Sequence, residues 1–104
     1  METYLKCRYG NGGMSLPREY TVIFKCAKNS QYPEGEAWCI VNRREVIPLE
    51  GDKEEDSEEG DRGLVRIHKL KKHEDGKSAL ALLMDDGEMR LSPFTVPLEE
   101  VVTK

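Results

Sequence analysis

Apolar and polar residues alternate along much of this chain with a period of two, which is typical of half-buried β-strands. The clearest case is residues 18–27, REYTVIFKCA, where Tyr20, Val22 and Phe24 fall on one face of the predicted strand. The same β-prone character marks five further segments: residues 3–9, 36–42, 44–49, 63–72 and 78–84.

Turn sequences separate these segments. Asp75-Gly76 and Asp85-Asp86-Gly87 are typical of hairpins, whose central residues need positive φ. Because residues 78–84 lie between these two turns, we predict a central strand there and not a helix. Residues 97–101 predict one helical turn with Pro97 at its first position. The pattern predicts an all-β fold: a small SH3-like barrel or a strongly bent antiparallel sheet with one short C-terminal helical turn.

The length of 104 residues predicts a single β domain with one core. The glycine-rich sequence at residues 10–13 would allow residues 1–13 to form a flexible arm. Pro48 limits the strand predicted at residues 44–49 to the edge of a sheet or to ending at the proline. The composition of residues 50–62 predicts an acidic disordered loop. We expect the core to contain Tyr20, Val22, Phe24, Trp38, Ile40, Val65, Ile67, Leu80, Leu82 and Val96.

The cysteines, Cys7, Cys26 and Cys39, are odd in number and lack paired spacing. They therefore argue against a disulfide framework and against zinc, and we expect buried, reduced thiols. No apolar run is long enough for a membrane helix and the N-terminus lacks a signal-like region, so the expected location is cytoplasmic.

The last 45 residues contain GDRGLVRIHKL, then ALALLM, a DG turn and TVPLEEV. In this order they resemble the closing segment of small SH3-like barrels, including a bacterial acidic family that binds calcium. The resemblance implies a small barrel, with calcium as the ion to consider.

The net charge of −4 is distributed unevenly. Residues 50–61 hold eight acidic side chains and one lysine, for a charge of −7, whereas residues 1–49 sum to +2 and residues 62–104 to +1. Outside one short segment the protein is therefore mildly basic.

Three interpretations of the acidic segment are open. The first is a calcium or magnesium site, since hard cations take several carboxylate oxygens. As an EF-hand loop the segment has Ser57 at the glycine position and Gly63 at the glutamate position, so the loop motif is not met. The candidate ligands are Asp52, Glu54, Asp56 and Glu58.

The second interpretation is a disordered surface insertion, because like charges repel and the segment has nothing apolar to bury. The third is a shield over a cationic face that would otherwise bind an anionic partner. The candidate residues of that partner-binding face are Arg43, Arg44, Arg66, Lys69, Lys71 and Lys72.

Catalytic motifs are missing from the sequence. The two histidines, His68 and His73, stand in no nucleophile, phosphate-loop or metal-ligand pattern. We expect a non-enzymatic interaction module that binds a protein partner, with nucleic acid as another partner class and no membrane. The alternative is a regulator that binds a divalent cation, with calcium as the sole cofactor to consider.

Overall fold

The computed structural model describes residues 1–11, 18–49 and 60–104, which form two antiparallel sheets. The larger sheet contains β1 (Thr3–Gly10), β2 (Glu19–Lys25), β3 (Glu36–Asn42), β4 (Val46–Pro48), β5 (Asp61–Ile67) and β9 (Val101–Thr103). The smaller sheet contains β6 (Lys69–Lys72), β7 (Ser78–Asp85) and β8 (Arg90–Pro97). Two short 3-10 helices span Arg43–Glu45 and Leu98–Glu100. The prediction of an all-β, antiparallel fold is confirmed.

The strand β1 is central in the larger sheet, whose order is β3-β2-β1-β5-β4. One side of β1 pairs with β5 from Thr3 to Tyr9. Its other side is shared: β9 pairs with Thr3–Leu5 and β2 with Arg8–Gly10. The flexible-arm prediction for residues 1–13 is therefore wrong for this strand, because hydrogen bonds from three neighbours hold it.

The two sheets enclose one core, and all three cysteines are buried as free thiols within it. Small, apolar thiol side chains fit such a core at little cost. The expected burial is confirmed for Val22, Phe24, Val65, Ile67 and Val96.

The predicted face of β3 was wrong. Ala37, Cys39 and Val41 point into the core, while Trp38 is 60 % exposed and Ile40 is half-buried. The reason lies in the pairing with β2, which sets Ala37 opposite Phe24 and Cys39 opposite Val22. Small residues thus face large ones across the two strands, and the core is filled without the tryptophan.

The predicted face of β7 was also wrong. Ala79, Ala81 and Leu83 are fully buried, whereas Leu80 and Leu82 are half-buried. The alanines let β7 approach the larger sheet closely, where it contacts β3 and β5. Tyr20 is likewise half-buried at the margin of the core.

The predicted hairpins are present, but the expected pair of positive-φ central residues is not: the positive φ lies at Gly76 in the first turn and at Met89 in the second, and not at Asp75 or Gly87. Asp75 accepts hydrogen bonds from the backbone N–H of Lys77 at 2.8 Å and of Ser78 at 3.0 Å, and Gly76 has a φ of +69°. Asp85 accepts from the N–H of Gly87 at 3.0 Å in the turn between β7 and β8. Both aspartates replace backbone partners that a tight turn leaves unpaired.

Several boundaries differ from the prediction. The strand expected at residues 44–49 is reduced to β4, because residues 43–45 form the first 3-10 helix. The segment 63–72 is two strands, because the chain bends at His68 and passes from the larger sheet to the smaller one. Asp61 and Arg62 belong to β5 and not to the acidic loop. The C-terminal helical turn is present, but Pro97 precedes it as its N-cap.

The strand β4 ends at Pro48 and lies at the edge of the larger sheet, as expected for proline. Within the described parts of the chain, no helix is long and apolar enough to cross a membrane.

Candidate functional site

One row of side chains crosses the outer face of the larger sheet, the face turned away from the core. In this row Trp38 of β3 pairs with Ile23 of β2, and Ile23 pairs with Arg8 of β1. Arg8 in turn pairs with Arg62 of β5. Directly paired residues of antiparallel strands point to the same face, so four neighbouring strands contribute one side chain each.

The apolar half of the row is open to solvent. The exposed fraction is 60 % for Trp38 and 39 % for Ile23. Within the described residues, Trp38 takes part in no aromatic or cation–π pair, in contrast to Tyr9 and Tyr20, whose ring centroids are 4.8 Å apart. A large flat ring is therefore presented to solvent beside a second apolar side chain, as at many binding surfaces.

Two lysines lie beside the basic half of the row, which consists of Arg8 and Arg62. Lys6 and Lys25 lie on the same outer face, on β1 and β2, and are exposed. Between them the sheet has an open groove of about 810 Å³, since β2 and β9 pair with opposite ends of β1. The groove is lined by side chains of both charges and by apolar ones: Lys6, Arg8, Ile23, Lys25, Glu36, Leu49, Arg62 and Glu100.

Arg8 and Lys25 each make a polar contact at this groove. The guanidinium of Arg8 donates from Nη1 to the carbonyl oxygen of Gly60 at 3.2 Å. Lys25 Nζ lies 3.3 Å from Glu100 Oε1, at the rim of the groove. Because the lysine side chain is 69 % exposed, this ion pair is screened by water and orients the lysine more than it stabilises the fold. We call Lys6, Arg8, Ile23, Lys25, Trp38 and Arg62 the outer-face site.

The six basic residues predicted from the sequence are dispersed. Arg43 donates to Asn11 Oδ1 at 2.7 Å and lies 4.5 Å from the centroid of the Tyr20 ring. Arg66 is on the outer face, with Nη2 3.5 Å from Glu2 Oε1. The others are exposed on the first 3-10 helix and on β6: Arg44, Lys69, Lys71 and Lys72. The six are thus distributed over two strands of different sheets and one helix.

The candidate cation ligands Asp52, Glu54, Asp56 and Glu58 lie outside the described residues. Gly63, the twelfth position of the EF-hand comparison, is buried within β5. No group of three or more histidine, cysteine or acidic side chains in the described ranges could hold a metal ion.

A polar cluster stands where the chain changes sheets. The buried carboxylate of Glu45 bonds to Nε2 of His68. Nearby, the hydroxyl of Tyr4 donates to Glu2 Oε2 at 2.6 Å. This bond, more than the charge of Arg66, lowers the pKa of Glu2, and it raises the pKa of Tyr4. The bond between Glu45 and His68 links the first 3-10 helix to the bend between the two sheets.

The outer-face site does not follow from the hydrophobic pattern of the sequence. Every residue from Ala37 to Val41 is apolar, so alternation does not reveal which face of β3 is buried. A usable signal was present in β1 and β2, where Lys6, Arg8 and Lys25 alternate with apolar residues and mark one face as outward.

No family model matches this chain, and comparisons with the curated proteins and with the solved structures give no significant match.

Proposed function

We propose that this protein is a non-enzymatic interaction module that binds a protein or other macromolecular partner through the outer-face site. One observation carries the proposal: the 60 % exposed ring of Trp38 lies in register with Ile23 and Arg8 on an open sheet face. Tryptophan and arginine are the side chains that most often dominate the energy of macromolecular binding.

The state of two buried cysteines argues against a cysteine nucleophile, which is consistent with the proposed role. Burial raises the pKa of Cys7 to about 12 and also raises the pKa of Cys39. Both thiols are therefore protonated at neutral pH, whereas a catalytic cysteine needs the thiolate. Free thiols also suit a reducing compartment, and the proposal includes a cytoplasmic location and an SH3-like assignment of the barrel.

Affinity capture with matched variants tests the proposal. The wild-type protein and two double variants are used as bait in lysate of the source organism. The site variant is Trp38→Ala with Lys6→Glu, and the control variant is Met89→Ala with Lys71→Glu. Met89 is 87 % exposed and Lys71 is exposed on the smaller sheet, so the control also truncates an exposed apolar side chain and reverses one lysine charge, but away from the site.

We expect a defined partner to be retained by the wild type and the control and lost by the site variant. Circular dichroism checks that all three proteins are folded. Retention of the same partners by the site variant would show that the outer-face site is not the binding surface.

A further inference from the structure

We infer that the outer-face site binds single-stranded nucleic acid, DNA or RNA, with a base stacked on Trp38 and phosphates held by the neighbouring cations. The inference rests on the proposed function and specifies its partner. Single-stranded nucleic acid requires two features of a protein surface: an accessible aromatic face for a base and a line of positive charge for the backbone.

The aromatic requirement is met by geometry. Trp38 is the single tryptophan of the chain and stands on β3 with its side chain largely in solvent. The side chain directly opposite on β2 is Ile23, which offers an apolar surface beside the ring. Bases stack on such surfaces whatever their identity, because every base has a π-face.

The positive charge is supplied by side chains on the strands beside β3, namely β2, β1 and β5. Going from Trp38 across the sheet, the row reaches Arg8 and then Arg62, three strands away from the ring. Neighbouring strands are spaced by about 4.8 Å, so the backbones of Trp38 and Arg62, three strands apart, are separated by roughly 15 Å. Lys6 precedes Arg8 by two residues on β1 and Lys25 follows Ile23 by two residues on β2, so both lysines lie on one side of the row, on the same face.

Composition favours a polyanion over a protein partner. The centre of a protein–protein interface is depleted in charged residues and particularly in lysine. Here the apolar part is two side chains, Trp38 and Ile23, and four cations flank it. Two carboxylates, Glu36 and Glu100, also line the groove, and Glu100 forms an ion pair with Lys25, so four cations and two carboxylates leave the site a net charge of +2. The site therefore has the charge complement of a phosphate backbone.

The single tryptophan makes binding directly measurable, because all indole emission reports on the site. Short single-stranded oligomers of dT and of U are titrated into the protein at low salt. We expect quenching of Trp38 emission for both. The affinity should fall roughly 90-fold between about 50 and about 250 mM salt if four cations contact phosphates. Duplex DNA should bind more weakly, since its bases are already stacked.

Variants locate the interaction, with labelled oligomers and anisotropy as the readout. Trp38→Ala should weaken binding about 5- to 150-fold, which corresponds to the loss of one stacked base. Lys6→Glu should weaken binding and lower the slope of the salt dependence by about 0.7. At about 150 mM salt, where the Debye length is about 8 Å, the controls Met89→Ala and Lys71→Glu should change affinity by less than about twofold, because distant exposed charges are then screened.

Three results would overturn the inference: no quenching by either oligomer at low salt, binding that is indifferent to Trp38→Ala, or polyglutamate bound as tightly as the oligomers. In the last case an acidic protein partner is the better assignment, and the proposed function stands. The capture experiment decides the proposed function separately, since a protein retained through Trp38 supports it even when no oligomer binds.

Discussion

The ring of Tyr9 lies directly over the backbone of Gly63 on the adjacent strand of the larger sheet. A Cβ atom at position 63 would come within 2.7 Å of Tyr9 Cδ1 and 3.1 Å of the carbonyl oxygen of Ile47. Tyr9 is buried and its ring packs against Tyr20. The glycine is therefore required for space, because the ring occupies the place of its side chain.

Gly63→Ala should lower the free energy of unfolding by about 1–3 kcal/mol, the usual cost of overpacking a core. Gly10→Ala is the matched control, since position 10 is also in a strand but a Cβ there would meet no atom within 4 Å. We expect the control to be neutral or slightly stabilising, because alanine restricts the unfolded chain. Urea unfolding of both variants provides the measurement. Equal stability of the two variants would contradict the packing argument.

Removing the partner of Glu45 should destabilise the fold. Glu45 is buried, and His68→Ala leaves its carboxylate without the hydrogen bond that it has in the native structure. The expected loss is about 1–3 kcal/mol. The double variant with Glu45→Ala should lose less than the sum of the single changes, because no carboxylate is then left unpaired. Additive losses in thermal or urea unfolding would show that the two side chains are not coupled.

The buried thiols should make stability fall at alkaline pH. Burial raises the pKa of Cys7 to about 12, and the folded-state pKa therefore lies above the unfolded value. The stabilising contribution is complete below the unfolded pKa of about 8.5 and is lost as the pH rises from there towards 12. Unfolding midpoints at about pH 8 and about pH 10 test this, and Cys7→Ala should reduce the difference between them. A midpoint that is independent of pH in this range would contradict the assignment.

Deletion of residues 52–59, with a short glycine linker in their place, should leave the fold intact. Pro48 and Gly63 are paired on neighbouring strands, so a short connection can join β4 to β5. Gly60 is retained because its φ is +87° and its carbonyl oxygen accepts from Arg8. Since no apolar residue is removed, the free energy of unfolding should change by less than about 1 kcal/mol.

The same deletion changes the net charge from −4 to +1, since it removes six acidic residues and one lysine. We expect tighter binding of a polyanion at low salt, because the long-range repulsion is lost. A full-length variant with those six carboxylates changed to amides separates charge from length. Loss of the folded signal on deletion would instead mean that the carboxylates are structural.

Calcium should affect the acidic segment only weakly. The loop lacks the glycine and the bidentate glutamate of an EF-hand, and Gly63 lies in a strand. Amide resonances of residues 51–61 should therefore shift without saturation below millimolar calcium, about the affinity of the weakest protein sites. Sodium chloride at equal ionic strength is the control. Saturation at micromolar calcium, with these resonances moving together, would establish the cation-binding alternative.

The strands that the sequence predicted well are those with one polar face. In β2, Val22 and Phe24 are buried and Lys25 is exposed, as the alternation requires. The positions of the turns were predicted equally well. The carboxylates of Asp75 and Asp85 accept hydrogen bonds from backbone N–H groups two residues later, so these turns depend on few other residues. Prediction failed in β3 and β7, where consecutive residues are apolar and both faces satisfy the pattern.

The sequence by itself determined the all-β class, the positions of the hairpins and the burial of Cys7 and Cys26, because these follow from local periodicity and turn chemistry. Only the tertiary structure decided which face of β3 is exposed. Pairing with β2 placed Ala37 and Cys39 opposite Phe24 and Val22 in the core, and this register turned Trp38 outward. The outer-face site exists because strands distant in sequence come into register, and no local pattern encodes that register.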